Sequence, residues 1–186
     1  MAETIEEGTI TQQEIATAIV AATSEVLSTM LGLEMVAGGP LVEKEATNAP
    51  SAGIISLIGL TGPWVGTGSL ACTAEFACKM SSRMLMTEYD AISEDVLDAV
   101  AEITNMIIGN VKTVIEERVG ALGLSTPTVI FGRNFQTRSA RIHEWTIVPF
   151  TCEEGQLHIQ MCLAPNRDTG PAGMRPGFQF PQVLNI

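Results

Sequence analysis

Apolar positions along the chain fall first at helical spacing and then at strand spacing. Ile15, Ile19, Ala22, Val26 and Met30 recur every three or four residues, which puts them on one face of a helix. Thr11 and Glu14 have the spacing of a capping box, so that helix is predicted over residues 12–31. Gly38-Gly39-Pro40 breaks the pattern. Residues 52–60 are a compact apolar run, Thr61-Gly62-Pro63 reads as a turn, and residues 65–72 alternate; this is strand, turn, strand. A second helix opens at Thr73 or Ala74 and runs to about Met86, with Phe76, Met80, Met84 and Leu85 facing inward. Methionine in that stripe reads as core filler.

The strongest helical signal runs from about 93 to 119. Ser93 is a good N-cap, and Glu94 and Asp95 suit a first helical turn. Ile92 and Leu97 are placed for a hydrophobic staple. Val96, Val100, Ile103, Ile107, Val111 and Val114 form the apolar stripe, and Gly120 and Gly123 end the helix. Three strands are predicted after it, over 127–131, 142–150 and 156–163, with Glu153-Glu154-Gly155 as a hairpin turn. Residues 165–186 are rich in Pro and Gly and read as an extended tail. Residues 1–11 read as a flexible arm, which leaves 12–164 as the folded domain.

The chain repeats itself at long range. Glu25-Val-Leu-Ser28-Thr-Met-Leu-Gly32 aligns with Glu102-Ile-Thr-Asn105-Met-Ile-Ile-Gly109. Strand-forming blocks follow each copy. Two helix-plus-strands units related by a pseudo-two-fold axis are therefore expected. The fold class is α+β in two layers, with the long helices antiparallel on one face of a mostly antiparallel sheet. Gly109, and Gly32 at the end of the first helix, are read as sites where another element could approach closely.

Composition narrows the function. The formal net charge is −11, and no cluster of Lys and Arg offers itself to phosphates, so nucleic acid and anionic membranes are disfavoured. A basic patch on a protein partner is compatible, as is plain solubility. Apolar runs such as 15–22 and 54–60 are too short to span a bilayer. The acidic start does not make a secretory signal, so a cytoplasmic setting with reduced thiols is expected for Cys72, Cys78, Cys152 and Cys162. None lies in a Cys-x-x-Cys pair, and His143 and His158 sit in strand-like text, so no metal site is expected.

Positions 98, 102, 105, 109 and 112 advance by four, three, four and three and form a second stripe beside the apolar one. It reads Asp98, Glu102, Asn105, Gly109, Lys112 and is expected to be exposed. A carboxamide donates and accepts hydrogen bonds without titrating, so Asn105 can hold a water in a fixed direction. A carboxylate one turn away can grip a Lys or Arg. No Ser–His or Cys–His pair is near, so no nucleophile is suggested. Spacing alone leaves the role of this pair open, and an ordinary solvated helix face fits it too.

Glu102-Ile-Thr-Asn105-Met-Ile-Ile-Gly109-Asn110, led by Asp98 and followed by Lys112, resembles the signature helix of the CheX/CheC/FliY chemotaxis phosphatases. The resemblance extends over about 12–164. CheC-type members carry Glu-x-x-Asn in both halves; here the first half reads Glu25-x-x-Ser28, a degenerate second site, as in CheX. The resemblance implies hydrolysis of the aspartyl phosphate on a receiver domain such as CheY. Asn105 would orient the attacking water, and Glu102 would grip the receiver lysine. Asp98, Gly109 and Lys112 would contact the partner. Mg²⁺ is implied in the receiver, none in this chain, and a homodimer is implied. Two other readings stay open: a CheX-like module that binds a receiver or signalling partner without catalysis, and a homo-oligomer that uses the stripe as a helix contact.

Overall fold

The computed structural model describes residues 8–44, 52–133 and 144–166. Among these residues, three helices and eight strands follow in the order α1 (Gln12–Leu31), β1 (Val36–Ala37), β2 (Leu41–Glu43), β3 (Ala52–Thr61), β4 (Trp64–Thr73), α2 (Ala74–Leu85), α3 (Glu94–Val119), β5 (Gly123–Leu124), β6 (Thr128–Arg133), β7 (Trp145–Cys152) and β8 (Gly155–Pro165). All strand pairs are antiparallel.

The sheet runs β1-β7-β8-β4-β3-β5, with β2 also on β7 and β6 also on β3. This order carries the pseudo-two-fold. The hairpins β3–β4 and β7–β8 meet at the central β4–β8 pair. Each half then sends its short strands across to the other half's hairpin, β2 to β7 and β6 to β3. Neither half could complete its sheet alone. The α+β, two-layer repeat expected from the sequence is the fold observed.

The helices lie on one face. Glu14, in the first turn of α1, pairs with Arg118, in the last turn of α3, at 3.1 Å, so the two run antiparallel. Their apolar stripes meet Ile54, Ile58 and Leu60 of β3, Leu70 and Cys72 of β4, and Val148, Phe150, Leu157, Ile159 and Met161 of β7 and β8 in one core. On length and composition α1 could cross a membrane, but here its apolar face is committed to this core.

The starts of the helices are those their caps predict. Thr11 forms a full capping box with Glu14, Ser93 caps α3 through the Val96 N–H, and Thr73 caps α2 through that of Phe76. Hydrogen bonds from Thr11, first its backbone N–H and then its side chain, hold the Glu14 carboxyl below its ordinary value of 4.5, with Arg118 adding to the effect. A depressed carboxylate pKa contributes stability above the unfolded value and loses it as pH falls through the folded one. Thr11→Ala is therefore expected to lower stability by about 1 kcal/mol at neutral pH. The difference from the parent should shrink below pH 4.5, which urea melts at pH 7 and pH 3 would measure.

Three details differ from the sequence reading. Met30 and Val114 are each 51% exposed and Leu85 is 41% exposed, although spacing puts Met30 and Val114 on the apolar stripes and turns Leu85 inward. Leu27, Leu31 and Ile115 take the core positions instead, because a straight helix crossing a twisted sheet turns a changing face toward it. The two- and three-residue strands β1, β2 and β5 are too short to show a period. Gly32 caps α1 in the left-handed region, at φ 61°, with no atom in the way of a Cβ; its role is the helix end, not close approach. Of the predicted arm 1–11 and tail 165–186, residues 1–7 and 167–186 lie outside the described residues, as do Ile142 and His143.

Candidate functional site

α3 presents the second stripe away from the sheet. Asp98 and Glu102 are exposed, whereas Asn105, Gly109 and Lys112 are half-buried, so the exposure expected of the whole stripe holds only for its first half. Among the described residues Glu102 and Asn105 have no hydrogen-bond or ion-pair partner. Such side chains, neighbours one turn apart, are available to a ligand. Exposed Glu94, Asp95 and Asp98 extend the negative surface toward the start of α3.

The helix that carries them is fixed at both ends. Tyr89 donates its hydroxyl to Asp95 at 3.2 Å, and its N–H goes to Ser82 at the end of α2. At the other end Lys112 pairs with Glu116 at 2.8 Å, and Glu116 accepts the Leu122 N–H at 2.6 Å. These two partners hold the Glu116 carboxyl below its usual range, Lys112 most strongly. Lys112 was read as a partner contact; within the chain its ammonium already serves this lock. The i,i+4 spacing of Lys112 and Glu116 is the sequence signal for this pair.

Gly109 has room around it. A Cβ built there would meet only the Leu124 Cδ1, at 3.9 Å, an ordinary contact. Nothing within the described chain therefore requires glycine at this position, and the open side is the outward one.

The first half differs at the same place. Glu25 is exposed, but the Ser28 hydroxyl turns back on its own helix and donates to the Glu25 carbonyl at 3.2 Å. It points nothing outward that could do the work of a carboxamide. Thiol chemistry is also remote. Burial pushes the Cys72 thiol up to about 12 and that of Cys162 up to about 11, so neither forms a nucleophilic thiolate near neutral pH. His158, paired in β8 with Pro149 and Ala71, has its pKa pushed down by burial. Among the described residues no three His, Cys, Asp or Glu side chains converge as a metal set.

The sequence model of the chemotaxis phosphatase CheX family matches residues 54–151, from β3 through α3 into β7. The chain belongs to the CheX family. It is 28% identical over 149 residues to the CheY-P phosphatase CheX of Thermotoga maritima, covering 79% of this chain and 95% of that one. A chemotaxis protein CheX from Desulfovibrio desulfuricans is 32% identical and superposes with a TM-score of 0.72, covering 81% of this chain and 99% of that one. The CheX of Borrelia burgdorferi, solved as a complex with CheY, BeF₃ and Mg²⁺, shares the fold at a TM-score of 0.67 and 24% identity, covering 83% of this chain and 99% of that one.

Proposed function

We propose that this chain hydrolyses the aspartyl phosphate of a CheY-like receiver domain, with the second-half site doing the work. The observation that carries the reading is the outward, unpartnered pair Glu102 and Asn105 on a helix anchored at both ends. Its family, and a relative named for action on phosphorylated CheY, supply the reaction class. The setting is the cytoplasm, and the working form is a homodimer.

In this mechanism Asn105 enters the receiver's phosphorylated site. Its carboxamide oxygen accepts from a water while its NH₂ donates, which fixes the water in line with phosphorus. The water oxygen bonds to phosphorus as the bond to the aspartyl oxygen breaks. Inorganic phosphate leaves, the receiver recovers its carboxylate, and the water's proton passes to solvent or phosphate. Positioning suffices because phosphoryl transfer asks little covalent work of a catalyst. Mg²⁺ belongs to the receiver, where it offsets charge on the phosphoryl oxygens. Glu102 grips the receiver's lysine, and Asp98, Gly109 and Lys112 line the contact. For Lys112 to do so, it must share its ammonium with Glu116.

The test is phosphate release from a panel of phosphorylated receivers with catalytic amounts of this chain. Faster release with turnover supports catalysis; stable binding without it favours the non-catalytic module. Glu102→Ala is expected to raise KM about tenfold, on the order of 1.4 kcal/mol, with a smaller change in kcat. An unchanged KM removes Glu102 from the docking surface.

A further inference from the structure

We propose that Gly68, in the central strand β4, is a positioning residue for the α3 site. It sets the depth at which α3 rests on the sheet, and through that the height of Asn105. The inference rests on the function proposed above.

Gly68 lies in the row Ile58–Gly68–Met161 across β3, β4 and β8. Ile58 and Met161 are buried against the helices, so the glycine is a gap in the middle of an apolar row. Ile108 of α3 fills it. A Cβ on Gly68 would stand 2.8 Å from the Ile108 Cδ1, 2.9 Å from its Cγ2 and 3.0 Å from its Cγ1. Carbon atoms rest at about 3.5–4.0 Å, so roughly 1 Å of relief is needed. Rotation of Ile108 cannot supply it, because three atoms on both branches are involved and a β-branched side chain in a helix is held near one rotamer. The helix itself must lift. Ile108 is one turn beyond Asn105 and adjacent to Gly109.

The two halves differ here as well. Matching the turn of the β3–β4 hairpin to that of β7–β8 places Ile159 of β8, fully buried, at the position equivalent to Gly68. Gly68 belongs to the half that carries Ser28, but the gap it leaves lies under α3, the other half's helix, which carries the complete Glu-x-x-Asn; its counterpart Ile159, in the second half's β8, is a full-sized side chain.

Height matters because a receiver cannot rest on α3 alone. The stripe from Asp98 to Lys112 is a ridge about 21 Å long at 1.5 Å per residue and about 10 Å wide, far less than the roughly 800 Å² per partner of a standard interface. The partner must also seat on neighbouring elements, such as Leu124 of β5 beside Gly109. Lifting α3 against them shifts Asn105 relative to the docked phosphate. A misplacement of about 1 Å can lose roughly 100-fold in rate.

The experiment compares the full chain with Gly68→Ala, Gly68→Ala/Ile108→Val and Ile58→Val, measuring kcat, KM and Tm with one phosphorylated receiver. Ile58→Val loosens the same row without lifting α3. The expected result is a kcat loss of tenfold or more for Gly68→Ala with KM within threefold, partial recovery in the double variant, and parental kcat for Ile58→Val despite a lower Tm. A Gly68→Ala protein with parental kcat overturns the inference, as does a kcat that tracks Tm across all the variants. If Gly68→Ala does not fold, Ile108→Leu tests the same contact from the helix: it keeps the volume, withdraws Cγ2, and must lower kcat at near-parental Tm. An active parent with an unaffected Gly68→Ala sinks the positioning role alone; a parent inactive on every receiver sinks both readings.

Discussion

Asn105→Ala abolishes stimulated phosphate release, a loss of at least about 100-fold, while the melting temperature stays within about 2 °C of the parent: this is the largest functional effect expected. The rate follows from the role. If the carboxamide is what holds the water in line, its removal leaves the receiver with its own slow hydrolysis, and about 100-fold corresponds to roughly 2.7 kcal/mol of barrier. Unchanged stability follows from the structure. Asn105 makes no hydrogen bond or ion pair to another described residue, and its neighbours in the core, Ile103 and Ile107, face the sheet. Surface changes away from core, caps and networks usually stay within about 0.5 kcal/mol. Phosphate release and a thermal melt on the same preparation decide it. Parental turnover in this variant removes Asn105 from the chemistry; a large fall in Tm assigns it a structural role.

Phe76→Ala has the largest effect expected on stability. Phe76 is 1% exposed and sits in the first turn of α2, where its N–H is taken by the Thr73 cap. Its ring lies against the backbone of Gly155, where no Cβ would fit. The same helix reaches the same turn twice more: Lys79 donates to the Glu154 carbonyl at 2.9 Å, and Arg83 pairs with the Glu154 carboxylate. The ring is thus the apolar centre of the joint between α2 and the β7–β8 hairpin. Truncating a buried Phe costs about 3–5 kcal/mol. In a chain of this length that lowers Tm by on the order of 10 °C, at about 2–4 °C per kcal/mol. The exposed ion pairs around it contribute little by comparison. Denaturant melts with an unchanged m-value would show a loss of stability rather than a change of unfolded state. A shift of Tm below about 3 °C would mean that the site collapses around the smaller side chain.

What was legible in the sequence was whatever local chemistry sets. Thr11, Thr73 and Ser93 fixed the starts of all three helices, since a side-chain oxygen three residues before an orphan N–H is a local device. The turn residues Thr61-Gly62-Pro63 and Glu153-Glu154-Gly155 marked the two hairpins. The repeat Glu25-x-x-Ser28 against Glu102-x-x-Asn105 showed that the fold has two related halves and only one complete motif. It did so because residues three and four apart share a helix face in any context.

The tertiary structure decided everything that depends on distant partners. That each half lends strands to the other half's hairpin, three-residue β2 to β7 and six-residue β6 to β3, has no trace in the sequence, because a strand's own residues do not name its distant partner. Whether Met30 or Leu31, Val114 or Ile115 is buried depends on the angle between a helix and a twisted sheet. The Lys112–Glu116 pair is local at i,i+4, but the bond from the Leu122 N–H that joins Glu116 to the chain beyond Gly120 became visible only in the fold. In the same way a glycine in β4 was one more small residue in a strand until Ile108 was found filling the space above it. The sequence by itself determined which helix face could carry chemistry; the packing of that helix on β4 decided how high above the sheet the face stands, because depth is set by side chains that meet across the core and not along the chain.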